Sequence, residues 1–269
     1  MQDRAGRTTL YRAAAGGHDE TVKILLNHGA DVSITKYGKP ALYKASKKGH
    51  LKVVELLFDR GADVDQETKD GTALQIAAEN GHEKVVEILL NHGADINITE
   101  MGEPALLKAS KNGHLKVVDI LLDHGADINH QYHEKTAFIL AVQNWRQKVV
   151  ELLLDRGAHV NHETVNGTAL QIAAESGHPK IVEILLDHGA DPNIRGYLHD
   201  RTALYGAAEN GHQRVVEIML NHGSGSRIED DDVHAALQAA AKNKHMNIVE
   251  MLKKHTMPDA KDSSVAGES

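Results

Sequence analysis

Nineteen histidines stand in this chain. Imidazole is the side chain best suited to acid-base work near neutral pH and to binding transition metals, so the spacing of these residues decides whether such chemistry is assembled. Seven occupy a Gly-His position or its equivalent, at His18, His50, His82, His114, His178, His212 and His245, and six more recur at His28, His92, His124, His188, His222 and His255. Equivalent positions on packed neighbouring helices lie roughly 10 Å apart, whereas zinc draws its ligand nitrogens to about 2.0 to 2.1 Å, so these rows cannot share a metal. A loop cluster remains: His130, His133, His159, His162 and His199. Its two His-x-x-His pairs are weak metal candidates, and solvated loop histidines are the better reading. The chain has no cysteine, no glycine-rich phosphate loop and no Ser-His-Asp arrangement that breaks the periodic background. An enzyme needs a constellation of that kind, so no catalytic residue and no cofactor are expected.

The elements that carry these histidines repeat. Leu10, Leu42, Leu74, Leu106, Phe138 and Leu170 follow at 32-residue steps, then Leu204 after 34 and Leu237 after 33, giving eight copies. From the first seven anchors a glycine lies 19 positions on, from Gly29 to Gly223, so length varies only in the segment after it. A fixed segment followed by a variable one reads as packed structure and a surface loop. Val53, Val54, Leu56 and Leu57 around Glu55 form the apolar stripe of an amphipathic helix. Alanine three places after every anchor, from Ala13 to Ala240, lets first helices pack closely. Each unit is a helix-turn-helix that cannot bury its own stripe, so stacking is required. Thr21 and Lys253 put polar side chains at cap positions, and the polar segment 256–269 is expected to be a disordered tail.

The pattern Gly71-Thr72-Ala73-Leu74-Gln75-Ile76-Ala77-Ala78-Glu79-Asn80-Gly81-His82, continued by Val85-Val86, Leu89-Leu90 and Gly93-Ala94-Asp95-Ile96-Asn97, resembles the ankyrin repeat. The resemblance covers about residues 4 to 255. It implies an all-α solenoid of stacked helix-turn-helix units with β-hairpin or loop fingers, one domain over 1–255, and a concave surface of fingers and first helices used to bind other proteins. Thr-Ala-Leu-Gln at 72–75 and 168–171 replaces the family's Thr-Pro-Leu-His, which predicts a weakened helix start and inter-repeat network. In the fifth repeat Asn144-Trp145-Arg146 replaces the x-Gly-His turn. A bulky residue at positive φ is costly, so a remodelled turn with Asn144 in the left-handed position is expected.

Variation against a constant repeat marks candidate contact residues. Tyr37, Lys69, Met101, His133, Val165 and Tyr197 share the finger-tip register, with Tyr132 beside His133, and the single tryptophan, Trp145, is either an aromatic anchor for a partner or a cover for neighbouring apolar surface. Aromatic residues and methionine are favoured at interface centres. First helices add Lys44, Lys47, Lys48, Lys108 and Lys111 against Glu79, Glu175 and Glu209, an alternating charge mosaic suited to a protein or peptide partner. With 30 basic against 38 acidic residues and a net charge of −8, the chain lacks the basic footprint of a nucleic-acid binder. It also has no apolar run long enough to span a membrane. These readings describe a monomeric, non-enzymatic interaction module or scaffold, intracellular and cytoplasmic, without excluding the nucleus. The abrupt start of the first repeat near Arg4 suits an alternative, the recognition or sensor arm of a larger signalling or immune-type receptor. A metal-dependent protein or enzyme using His130, His133, His159 and His162 is the remote alternative.

Overall fold

The computed structural model describes residues 8–34, 39–99, 102–196, 200–222 and 228–256. Thr256 closes the last helix, and the remainder of the expected tail lies outside the described residues. The fold is all-α, with sixteen helices among the described residues, and the chain divides between Arg156 and Gly157 into two units.

The first unit contains five helix pairs: α1 (Thr9–Gly16) with α2 (Asp19–Asn27), α3 (Ala41–Lys48) with α4 (Leu51–Phe58), α5 (Ala73–Glu79) with α6 (Glu83–Asn91), α7 (Ala105–Asn112) with α8 (Leu115–Asp123), and α9 (Ala137–Gln143) with α10 (Gln147–Asp155). First helices contact first helices from α1 through α9, and second helices contact second helices from α2 through α10, which makes two layers. The second unit repeats this arrangement with α11 (Ala169–Glu175), α13 (Ala203–Glu209) and α15 (Asp230–Lys242) in one row and α12 (Pro179–Asp187), α14 (Gln213–Asn221) and α16 (Met246–Thr256) in the other.

The core follows the aliphatic pattern. Leu42, Leu74, Leu106, Phe138, Leu170 and Leu204 are buried, as are Ala45, Ala77, Ala109, Ala141, Ala173 and Ala207 from the small-residue register. Val86 and Leu89 of α6 are fully covered, and Glu87 between them is exposed. Thr21 and Lys253 are exposed at the polar cap positions. The fingers are short: single antiparallel bridges join Thr68 to Gly71, Tyr132 to Lys135 and Thr164 to Gly167.

Five histidines of the Gly-His turns tie their helix pair to the one before it. Nε2–H of His50, His82 and His114 donates to the carbonyls of Ala15, Lys47 and Glu79 at 3.2, 3.1 and 3.0 Å, and in the second unit His212 and His245 reach Glu175 and Glu209 in the same way. The preceding glycine is required twice over. Gly81 has φ 75°, and a Cβ there would lie 2.5 Å from Nδ1 of His114 in the next pair. The other histidine row closes second helices, with Nδ1–H of His28, His92, His124 and His188 donating to the carbonyl four residues back at 2.8 Å. Each of these carbonyls also accepts the histidine's own backbone N–H, so the ring adds a second hydrogen bond at the helix end and complements the favourable helix-terminus charge interaction.

The expected weakening of the helix starts is corrected. Thr72 and Gln75 form a capping box, in which Gln75 N–H donates to Thr72 Oγ1 at 3.3 Å and Thr72 N–H donates to Gln75 Oε1 at 2.9 Å. Gln75 Nε2 then donates to the Ile98 carbonyl at 2.7 Å, joining the helix start to the following finger. Gln171 does the same in the second unit, donating to the carbonyls of Ile194 and Arg201 at 2.9 and 2.7 Å. Glutamine thus supplies the tie that the substituted histidine would have made. The Thr-x-x-Gln spacing is itself a capping-box signature, and it was the legible signal.

Candidate partner-binding surface

Three neighbouring first helices present the charged residues of the first unit. Lys44, Lys47 and Lys48 lie on α3, Glu79 ends α5, and Lys108 and Lys111 lie on α7. Lys44 and Lys108 share one helical register, and Lys47, Glu79 and Lys111 share another, three residues further along the same face. The expected alternation of sign is corrected here. Glu79 is ion-paired with Lys108, whose side chain is only 15% exposed, so the acidic member of the row is neutralised by its own neighbour. Lys39 similarly pairs with Asp70 at the adjacent finger and stands 5.5 Å from the Tyr43 ring centroid. Burial, with the like charges of Lys47, Lys48 and Lys39, holds the Lys44 ammonium below its usual range. Tyr43 beneath this face is almost wholly buried, and that burial, with the nearby Asp70 and Glu79, pushes its phenol up to about 12.

The fifth repeat presents aromatic groups at both ends of α9. At the finger end Tyr132 is half-buried, and its ring meets that of His133 edge-on at 4.4 Å between centroids. The turn holding them has φ 47° at His133 and 62° at Glu134, closed by reciprocal backbone bonds between Tyr132 and Lys135. Two successive positive φ values mark the type I′ class, which favours Asn and Gly. At the other end Trp145 is 59% exposed. The expected remodelling is corrected: Asn144 has φ −105°, and Trp145 itself takes the left-handed position with φ 60°. Arg146 then replaces the turn histidine, with its Nε–H donating to the Lys111 carbonyl at 3.0 Å. That bond preserves the inter-repeat tie and holds Trp145 in the glycine conformation.

The family-level comparisons agree with this geometry. A model of ankyrin repeats matches residues 1–68, 64–132, 130–196 and 196–262. The chain belongs to the ankyrin-repeat family. The crystal structure of the human ASB11 ankyrin repeat domain is similar, with a TM-score of 0.70 at 26% identity, covering 87% of this chain and 98% of that one. No curated protein sequence matches significantly.

Within this ankyrin-repeat framework the candidate residues separate into groups. Lys44, Lys48, Glu79 and Lys111 share one row of first helices, Tyr132 and Trp145 flank α9, and Glu175 ends α11 in the second unit. Tyr37, Met101 and Tyr197 lie outside the described residues, as does His199. Of the remaining finger-tip residues, Lys69, His133 and Val165 are exposed. Among the described residues no group of three or more His, Asp or Glu side chains is placed to hold a metal ion. His130 instead lines a shallow cleft with Asn97, Pro104 and Leu107. The ankyrin aspartates serve structure too: Asp95 and Asp127 accept from the backbone N–H two residues on, at 2.8 and 3.0 Å. Sequence reading passed over Asp232, which is buried and receives Arg195 Nη2–H at 2.5 Å. No helix among the described residues is long and apolar enough to cross a membrane.

Proposed function

We propose that this chain is a non-catalytic interaction module that binds a protein or peptide on its first-helix and finger surface, with the fifth repeat as an anchor. One observation carries the reading. Three of the five non-glycine residues at positive φ among the described residues, His133, Glu134 and Trp145, bracket α9, where the exposed Trp145 and the half-buried Tyr132 sit. Strain of this kind costs of order 1 to 3 kcal/mol per residue and clusters at functional sites. Ankyrin repeats are typically non-catalytic and generally serve protein interaction, which supports the same reading.

The test is affinity capture from the native cell by the full chain, set beside a variant carrying Tyr132→Ala and Trp145→Ala, with identification by mass spectrometry. Circular dichroism and thermal unfolding establish that the variant is folded. Proteins retained by the wild type and lost by the folded variant support the proposal, and identical retained sets overturn it. Tyr37, Met101 and Tyr197, proposed as contact residues from their register in the sequence, form a second substitution set.

A further inference from the structure

The first-helix face of repeats two to four is basic in a chain whose net charge is −8. Helices α3 and α7 are close sequence copies, Ala-Leu-Tyr-Lys-Ala-Ser-Lys-Lys and Ala-Leu-Leu-Lys-Ala-Ser-Lys-Asn, and both pack against α5 between them. The carboxylate on α5, Glu79, is occupied by Lys108, and Asp70 at the neighbouring finger is occupied by Lys39. That leaves Lys44, Lys47 and Lys48 on one side of α5 and Lys111 on the other, all at least partly exposed. The second helices behind them do not share this excess: Lys52 faces Asp19, and Lys116 faces Glu83.

We propose that this face, formed by α3, α5 and α7, binds an extended acidic peptide segment of a partner protein. The inference rests on the interaction-module reading and adds the chemistry of the ligand. Two helix spacings of about 8 to 10 Å separate α3 from α7, and an extended chain rising about 3.3 Å per residue crosses that span in roughly five or six residues. The ligand therefore carries two acidic groupings separated by that number of residues, one for the α3 lysines and one for Lys111. A carboxylate arriving at α3 also relieves the mutual repulsion of Lys44, Lys47 and Lys48. Single-stranded nucleic acid is disfavoured on this face, because base stacking needs exposed aromatic rings and Tyr43 is only 1% exposed. The chain's overall negative charge further opposes a long polyanion.

The experiment uses the full chain and two fluorescein-labelled synthetic peptides of identical composition, one with glutamate pairs separated by five residues and one with all glutamates contiguous. Anisotropy titrations compare the wild type, Lys44→Glu with Lys48→Glu, and a control pair on the second helices, Lys84→Glu with Lys116→Glu. Tighter binding of the spaced peptide, weakened about tenfold or more by the α3 pair and little by the control pair, supports the assignment. Equal loss in both variants, or no preference for the spaced peptide, overturns it. Stronger binding of oligothymidylate or of anionic phosphatidylserine vesicles than of the spaced peptide also overturns it. Should the captured partner depend on Tyr132 and Trp145 yet bind the Lys44→Glu, Lys48→Glu variant unchanged, this inference fails while the interaction-module reading stands. A partner indifferent to Tyr132 and Trp145 fails that reading instead.

Discussion

At the scale of single residues, Trp145 shows how a departure from the repeat is absorbed. Its backbone keeps the left-handed conformation that glycine supplies in the other inner repeats, at φ 60°, because Arg146 preserves the tie to the Lys111 carbonyl. The left-handed region costs a side-chain-bearing residue roughly 1 to 2 kcal/mol. Trp145→Gly is accordingly expected to stabilise the chain by about 1 kcal/mol in denaturant unfolding, after the extra freedom of glycine in the unfolded chain is deducted, while weakening partner capture. A variant that loses stability would show that contacts of the indole outweigh the backbone strain. His178 supplies a pH dependence. Burial, and then the charge of His212, hold its imidazolium below the ordinary histidine value of 6.5. The unfolded chain then binds a proton at His178 at a higher pH than the folded chain, so this residue's contribution to stability falls as pH drops below that value. His178→Gln should lose less in melting temperature than the wild type between about pH 7.5 and about pH 5.5. An equal loss would remove His178 from the acid response.

Helices and fingers were legible to different depths, for physical reasons visible at particular residues. The helix pairs declared themselves because Val85, Val86 and Leu89 repeat a pattern that only a one-sided helix produces, and all three are buried. The turn histidines were recognisable as structural from their fixed step, although their partners were not, because the carbonyls they meet lie 35 residues away in His50, His82 and His114. Gln75 was misjudged by its difference from the family's histidine, when Thr72 three residues earlier already defined a capping box. The charge mosaic failed for a related reason: sequence gives the sign of Glu79 and Lys108 but not that their side chains meet. Gln75→Ala tests the correction, since it removes the capping-box bond and the link to Ile98 together. Each of these hydrogen bonds is worth about 1 kcal/mol, so a loss of about 2 kcal/mol in urea unfolding is expected. A loss below about 0.5 kcal/mol would mean that water replaces both bonds at no cost.

For the molecule as a whole, charge is segregated more sharply than its net value conveys. The first helices of the first unit carry Lys44, Lys47, Lys48, Lys108 and Lys111 with Glu79, while those of the second carry Glu175, Glu209, Asp230, Asp231 and Asp232 with Lys242. At pH 7 the net charge of −8 keeps copies of the chain apart. Near the sequence isoelectric point of about 6.2 that repulsion vanishes, and the opposed local patches remain. Light scattering at low ionic strength should then rise as pH approaches 6.2 from above. The salt response identifies the cause. Attraction between exposed charges is screened within about 8 Å at roughly 0.15 M ionic strength, so added sodium chloride should lower the scattering. Association through apolar surface responds in the opposite direction, because excluded salts strengthen burial. Scattering that grows with salt would therefore transfer the explanation to exposed apolar side chains such as Ile24 and Met246, and would weaken the case for charge as the principal means by which this chain selects what it touches.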